Sequence, residues 1–163
     1  MKVIFLDVDG VLNSDEYFDK IRKKNIDGIE SEVDVEKIKL LKQAVIQTGA
    51  KVVLSSSWRH TKNGEQLKEL LAKFEIYTDR TPYLQNKRGI EIKQWLINNE
   101  NIEDFVILDD EIFDTYDDIL MSKLIKVSNG DGRNFGEGLL QKDIDEIVKR
   151  FGKIKEKNVE LER

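Results

Sequence analysis

A chain of 163 residues with 39% hydrophobic and 36% charged side chains has the balance of one globular domain, which excludes intrinsic disorder. Its 27 basic and 32 acidic side chains give a formal net charge of −5, which disfavours general binding to nucleic-acid backbones or anionic membranes. The sequence has no cysteine, no apolar run long enough to cross a bilayer and no signal-peptide pattern; this excludes disulfides and thiolate metal sites and favours a cytoplasmic protein.

Short apolar runs alternate with longer stretches of helical period along the chain. The pattern predicts strands at 2–7, 51–56, 104–110 and 122–128, and helices at 34–48, 64–74, 88–99 and 138–151. Continuous apolar strands separated by helices indicate an α/β fold, a three-layer Rossmann-like sandwich with a mostly parallel central sheet. Residues 1–151 are expected to form a single domain, in which 13–33 make a loop or small flap, and 152–163 a charged tail.

Polar residues stand at the ends of three predicted strands. Asp7 and Asp9 follow the first strand, Ser55 to Ser57 the second, and Asp109 and Asp110 the third. Because ligands of an open parallel sheet bind beyond the carboxyl ends of its strands, we expect these groups to meet in one crevice. Clustered carboxylates raise one another's pKa unless a cation lies among them, and a site made only of oxygen ligands suits Mg²⁺.

The residues around these acids favour phosphate as the ligand. Ser56 can donate a hydroxyl hydrogen bond, and the amides after it lead into a helix N-terminus, which is a natural anion site. The pair Lys87-Arg88 begins a predicted helix, where a cation is placed to neutralise phosphate charge. Phosphoryl transfer needs in-line positioning and charge neutralisation, and this set of residues supplies both.

These motifs together resemble the haloacid dehalogenase-like (HAD) superfamily of phosphohydrolases. Asp7-Val8-Asp9-Gly10 resembles its first motif, VVLSSSWR its second, the basic pair before IEIKQWL its third and VILDDE its fourth. More narrowly, SSSWR, RGIEIKQWL, VILDDE and EGLLQKDI are similar to the small HAD domain of Swiss-army-knife RNA repair proteins. The motifs follow the family's order over residues 3–145. The resemblance therefore implies a HAD-like fold that is capless or has a minimal flap.

The resemblance implies a role for each acid. Asp7 would be the nucleophile that forms an aspartyl-phosphate, and Asp9 the general acid and base. Asp7, Asp9, Asp109 and Asp110 would hold Mg²⁺, with the backbone carbonyl of Asp9 also contacting the metal. Asp110 matches the family's metal-binding acid best, and Asp109 or Asp114 assists it.

The second and third motifs leave alternatives open. Ser56 fits the second-motif hydroxyl better than Ser55, and Ser57 stands beside it as a further phosphate-binding residue. The third motif is normally a single lysine, so Lys87 and Arg88 are both candidates for the phosphate-binding cation. Lys93 is an outside candidate.

The implied function is a Mg²⁺-dependent phosphatase acting on a phosphorylated small molecule or a nucleic-acid end. A non-catalytic phosphate-binding or regulatory module and a phosphotransferase with the same site are the alternatives. Residues 10–33 and 59–86 are too short for a large cap, so the crevice is expected to be open, with Trp58 and Arg59 placed to line its entrance. No membrane partner and no stable nucleic-acid binding are expected from the net charge, and no pattern indicates an oligomeric state.

Overall fold

The computed structural model of the protein describes residues 1–129 and 134–155. A five-stranded sheet forms from β1 (Lys2–Leu6), β2 (Lys51–Leu54), β3 (Thr78–Arg80), β4 (Asp104–Asp109) and β5 (Leu124–Lys126). The strands lie in the order β3-β2-β1-β4-β5, and every pairing is parallel. The first strand of the chain is therefore the central strand of the sheet.

Helices connect the strands and cover both faces of the sheet. They are α1 (Asp15–Arg22), α2 (Val35–Thr48), α3 (Lys62–Lys73), α4 (Arg88–Asn98), α5 (Asp118–Lys123) and α6 (Gln141–Phe151), with 3₁₀ turns at Ile29–Ser31 and Ser57–His60. The ends of α2 illustrate how the sequence sets their bounds. The Asp34 carboxylate accepts from the Glu36 N–H at the start, and Gly49 takes a left-handed conformation at the end.

Two hydrophobic cores lie on opposite faces of the sheet because successive strand residues point to opposite sides. On one face, Ile4 and Leu6 of β1 belong to a cluster that includes residues of α2, α3 and α6. On the other face, Val3 and Phe5 belong to a cluster with Trp95 of α4 and Leu120 of α5. The predicted three-layer α/β sandwich is confirmed, with a sheet that is parallel throughout.

Three short elements of the structure, β3, α1 and α5, are not indicated by the spacing of apolar residues in the sequence. β3 is a three-residue edge strand with no apolar side chain, and α1 lies inside the segment 13–33 that was expected to be a loop or flap. Helix α5 runs to Lys123, so β5 begins at Leu124 and is shorter than the strand predicted over 122–128. Of the predicted charged tail, residues 156–163 lie outside the described part of the chain.

The register of the central strands places the polar residues that follow them side by side. Leu6 is the register partner of Leu54 on one side and of Leu108 on the other. Beyond that point the Asp7 N–H donates to the Leu108 carbonyl at 3.0 Å, and the Ser55 N–H donates to the Leu6 carbonyl at 3.0 Å. Three segments far apart in the chain therefore end at one edge of the sheet.

Candidate active site

A cluster of three buried carboxylates lies where β1 and β4 end. Asp7, Asp109 and Asp110 each offer a carboxylate oxygen, and these oxygens lie within 4.8 Å of one another. Their relative exposures are 6%, 0% and 6%. The structure thus brings together three of the four acids that sequence reasoning assigned to the metal site.

Arg88 is the cation of this cluster. As the first residue of α4, it places Nη1 2.7 Å from Asp109 Oδ2 and 3.3 Å from Asp7 Oδ1. Its guanidinium lies over the Phe113 ring, 4.5 Å from the centroid. Burial lowers the pKa of Arg88, but the charges of Asp7 and Asp109 outweigh this effect and raise it.

The other two candidates for the third-motif cation lie elsewhere. Lys87 is exposed and lines a separate surface cavity with Tyr83 and Ile90, so its assignment as a phosphate-binding residue is not supported by the geometry. Lys93 forms an ion pair with Asp117. Adjacent residues at a helix start point in different directions, and this separates Arg88 from Lys87.

Asp109 and Asp110 have different surroundings although they are adjacent. Asp109 Oδ2 accepts from Arg88 and from the Tyr116 hydroxyl at 3.0 Å, and Oδ1 accepts from the Glu111 N–H at 3.1 Å. Asp110 instead lines the open crevice. Asp110 is therefore the acid of the pair that a ligand can reach, and Asp109 fixes Arg88 from behind. Asp114, the other suggested helper, is exposed and is not part of the cluster.

Asp9 is held by two neutral side chains that sequence reasoning did not assign to it. Asn13 Nδ2 donates to Asp9 Oδ1, and Trp58 Nε1 donates to Asp9 Oδ2, both at 3.2 Å. Asn13 is fully buried and is itself fixed, because its Oδ1 accepts from the Gly10 N–H at 2.7 Å and its Nδ2 also donates to the Glu32 carbonyl. The sequence signal that could have indicated Asn13 as a site residue is its position directly after the apolar pair Val11-Leu12, four residues after Asp9.

The end of β2 contributes hydroxyls to the same place. Ser56 and Ser57 line the crevice, whereas Ser55 is fully buried, and its hydroxyl has no hydrogen-bond partner among the described residues. Ser56 caps the 3₁₀ turn, where its Oγ accepts from the Trp58 N–H at 3.2 Å and keeps its own hydrogen available for a ligand. Of the two candidates for the second-motif hydroxyl, Ser56 is the one with access to the crevice.

The prediction that Arg59 lines the entrance is wrong. The side chain is buried and pairs with Glu91 Oε2 on α4 at 2.6 Å. It also donates to the Ser56 and Thr81 carbonyls, both at 2.9 Å. A charged residue next to a predicted site suggests exposure, but an acid on α4 lies where it can neutralise Arg59 inside the protein.

The crevice formed by these groups has a volume of about 330 Å³. Its lining comprises Asp7, Asp9, Ser56, Ser57, Arg88, Asp110, Glu111, Phe113, Asn134 and Phe135. It opens at the carboxyl ends of β1, β2 and β4, where ligands of parallel sheets bind. Six of the ten lining residues within 1–129 and 134–155 were predicted from sequence, and the remaining four come from segments that follow the strands.

A family model described as the HAD domain in Swiss Army Knife RNA repair proteins matches residues 3–132. This match covers most of the chain, including Asp7, Ser56, Arg88 and Asp110. The chain belongs to this HAD family. The resemblance read from the motifs is thereby confirmed, and the parallel three-layer fold agrees with it. No curated protein and no solved structure gives a significant match.

Membership of the HAD family supports a phosphohydrolase-type function and a divalent metal in general terms. The donor set of this HAD site fits a hard cation, because the clustered ligand atoms are all carboxylate oxygens and the chain has no cysteine to supply a thiolate. None of the helices in residues 1–129 and 134–155 is both long and apolar enough to cross a membrane.

The carboxylates of the HAD site carry more negative charge than Arg88 can balance. Burial and the neighbouring Asp109 raise the pKa of Asp7 to about 7, against the lowering effect of Arg88. Burial and Asp7 raise the pKa of Asp110 to about 7, and burial raises that of Asp109 to about 6. Retained protons or an added cation relieve this repulsion, which is the electrostatic condition that favours metal binding.

Gly10 permits Asp110 to approach the first motif. Its φ is +76°, and a Cβ at this position would lie 2.2 Å from Asp110 Oδ2. Real Cβ atoms do not come this close to another heavy atom, so any larger residue displaces the Asp110 carboxylate. The glycine of the first motif is therefore required by the geometry of the fourth.

We expect Gly10→Ala to abolish Mg²⁺ binding, measured by isothermal titration calorimetry, since the new methyl group displaces Asp110. Gly28→Ala is the matched control, because Gly28 has φ +77° but nothing lies within 4 Å of its Cβ position. Both variants place a Cβ on a residue with positive φ, which strains the backbone by about 1–3 kcal/mol. Retention of wild-type Mg²⁺ affinity in Gly10→Ala would show that Asp110 is not a ligand.

Stability in the absence of metal should depend on pH through the carboxylate cluster. Asp7 and Asp110 have folded pKa values of about 7, raised by burial from 3.8, so the folded protein holds protons that the unfolded chain has released in this window. The protons bound to Asp7 and Asp110 therefore stabilise the folded state. This stabilisation is fully present below the unfolded-state pKa of 3.8 and is lost as the pH rises through the folded-state pKa values of about 7.

Urea unfolding in EDTA at pH 5 and pH 8 measures this effect. We expect the wild type to lose roughly 1–3 kcal/mol more over this range than Asp110→Asn, which cannot ionise at that position. Mg²⁺ at pH 8 should restore part of the loss in the wild type. Equal losses in the two proteins would contradict the raised pKa of Asp110.

Proposed function

We propose that the protein is a Mg²⁺-dependent phosphomonoesterase that works through Asp7. The observation that carries the proposal is the position of Asp7 in the crevice, with Arg88 3.3 Å away and the oxygens of Asp109 and Asp110 within 4.8 Å. These groups supply the nucleophile and the positive charge that phosphoryl transfer requires. The reaction class is that expected of a HAD domain.

In the first step a carboxylate oxygen of Asp7 attacks phosphorus in line with the leaving oxygen. The new bond forms between Asp7 and phosphorus, the bond between phosphorus and the leaving oxygen breaks, and Asp9 donates a proton to that oxygen. In the second step a water molecule gives a proton to Asp9 and attacks the phosphorus of the aspartyl-phosphate. The bond between phosphorus and the Asp7 oxygen breaks, which releases inorganic phosphate and regenerates the Asp7 carboxylate.

Arg88 and Ser56 are proposed to bind the phosphate during both steps. Arg88 lines the crevice with its guanidinium held by Asp109 and Phe113, so its charge is fixed before the substrate arrives. The Ser56 hydroxyl donates to a phosphate oxygen. This assignment selects Arg88 over Lys87, and Ser56 over Ser55.

Asp7 and Asp110 are the residues proposed to hold Mg²⁺, with Asp109 behind them and the Asp9 backbone carbonyl as a further ligand. When bound, the ion supplies positive charge that neutralises the phosphate oxygens. The ligand carboxylates must lose their protons before the ion binds. Nucleotides and phosphorylated nucleic-acid ends are the proposed substrates, on the ground that the matched family is described from RNA repair proteins.

Trp58 and Asn13 are proposed to position the acid–base group. Each donates one N–H to a different oxygen of Asp9, so the carboxyl group has a single orientation in the crevice. A proton donor that is already aligned with the leaving oxygen needs no reorganisation during the reaction.

We expect Asp7→Asn and Asp9→Asn each to lower the hydrolysis of 4-nitrophenyl phosphate by at least about 10³-fold, because one removes the nucleophile and the other the acid–base group. Asp79→Asn is the control, since Asp79 is an exposed carboxylate that accepts from Trp95 outside the crevice. EDTA should silence the wild type. Full activity in Asp7→Asn contradicts the mechanism, and binding of phosphate without turnover would favour the non-catalytic module.

The Trp58→Phe variant tests the positioning of Asp9. It removes one N–H and keeps a ring, so we expect kcat/KM for an alkyl phosphate to fall about tenfold more than kcat/KM for 4-nitrophenyl phosphate, whose leaving group needs less protonation. Trp95→Phe is the matched control, because Trp95 Nε1 donates to Asp79 at 2.9 Å away from the site. Equal losses on both substrates would indicate that Trp58 only supports the fold.

A further inference from the structure

A second cavity opens beside the crevice. It has a volume of about 550 Å³ and shares Asn134 and Phe135 with the crevice. Its other lining residues belong to α1 and the segment after it, namely Asp15, Phe18, Asp19, Arg22 and Glu32. Because Asn134 and Phe135 line both spaces, the side cavity is a neighbouring space for any group attached to a phosphate at Asp7.

An aromatic pair forms the wall of the side cavity. The Phe18 and Phe135 rings have centroids 5.1 Å apart with planes tilted by 55°, and both side chains are only half-buried. Large aromatic side chains that are left partly open beside a reaction site offer a stacking surface for a planar ring.

The wall is held in place by hydrogen bonds between α1 and the segment that carries Phe135. The Asp15 carboxylate accepts from the Phe135 N–H at 3.0 Å and from the Gly136 N–H at 3.1 Å. The Asp15 N–H donates to the Gly136 carbonyl at 3.0 Å. The aromatic pair is therefore already assembled in the absence of a ligand.

The charges of the side cavity disfavour a second phosphate. Of the four charged side chains that line it in the described part of the chain, Asp15, Asp19 and Glu32 are acidic and Arg22 is basic. Arg22 is paired with Asp19 at 3.5 Å. Carboxylates repel a neighbouring phosphodiester, but they accept hydrogen bonds from amino, ring N–H and hydroxyl groups.

We propose that the side cavity binds the leaving group of the substrate, and that this group is a nucleoside. Its base stacks on Phe18 and Phe135, and its hydrogen-bond donors meet the acidic lining. The volume lies within the range of about 300–1,000 Å³ that is usual for small-molecule pockets. The inference rests on the proposed phosphatase activity and narrows its substrates to nucleoside monophosphates, in preference to a chain whose next phosphate would lie among the acids.

Steady-state kinetics on three kinds of ester test the inference. They are adenosine monophosphate (both the 5′ and the 3′ isomer), glycerol phosphate, which has no ring, and a dinucleotide with a terminal phosphate. For the wild type we expect kcat/KM to be at least about tenfold higher for adenosine monophosphate than for either other ester, since base–aromatic stacking and charge both favour it. The difference should reside mainly in KM.

The Phe18→Leu and Phe135→Leu variants should each lower the ratio of kcat/KM for adenosine monophosphate to that for glycerol phosphate by about tenfold. Phe74→Leu is the control, because Phe74 is also half-buried but packs against the main core at the end of α3. It should keep the wild-type ratio.

Two results would overturn the inference. One is a ratio that the Phe18 and Phe135 variants leave unchanged, and the other is a dinucleotide that matches the mononucleotide in kcat/KM. Failure of the phosphatase proposal looks different, because then no ester is hydrolysed, 4-nitrophenyl phosphate included. In that case calorimetric titration of the ligands in the presence of Mg²⁺ still tests the side cavity. If the cavity binds a nucleoside, adenosine monophosphate binds about tenfold more tightly than inorganic phosphate, and the Phe18→Leu variant loses this difference.

Discussion

The electrostatic balance between Arg88 and the carboxylates around it is the constraint on which the site depends. A single buried guanidinium faces Asp7 and Asp109, and Asp110 lies beside them. Charges held away from water are tolerated only when they are paired and hydrogen-bonded, and here the acids outnumber the base. The cluster is therefore incomplete without protons or a metal ion. An unbalanced charge of this kind is suited to a ligand that exchanges, because no permanent partner among the described residues neutralises it.

Parallel topology is what brings this charge together. β1 lies between β2 and β4, so the residues after three strands meet without any long loop having to fold inward. Local features then set the distances between the side chains at this edge of the sheet. They are the missing Cβ of Gly10, the start of α4 at Arg88, and the hydrogen bonds of Asn13 and Trp58 to Asp9. Fold and chemistry are consequently set by the same strand register.

The features that could be predicted from sequence are those that depend on the period of the apolar residues and on the order of the motifs along the chain. Apolar strands, amphipathic helices and the acids after the strands were recognisable because burial of whole elements dominates the pattern. The sequence did not allow a choice between adjacent candidate residues. The direction of the Lys87 and Arg88 side chains, for example, depends on where α4 begins. The roles of Asn13 and Arg59 depend on partners distant in sequence or on the local path of the chain, and no spacing rule indicates a buried ion pair such as that between Arg59 and Glu91.

That ion pair has a consequence for how the molecule can move. Glu91 lies one turn after Arg88, and its pairing with Arg59 ties the start of α4 to the end of β2 at a point with 1% side-chain exposure. Breaking such a pair leaves an isolated charge in a dry environment, at a cost of about 3–5 kcal/mol. The pair thus links two walls of the crevice, and this link resists their separation. The contact of α1 with the chain near Phe135 is of a different kind, because it is made by exposed hydrogen bonds of the Asp15 carboxylate, which cost less to break than a buried ion pair.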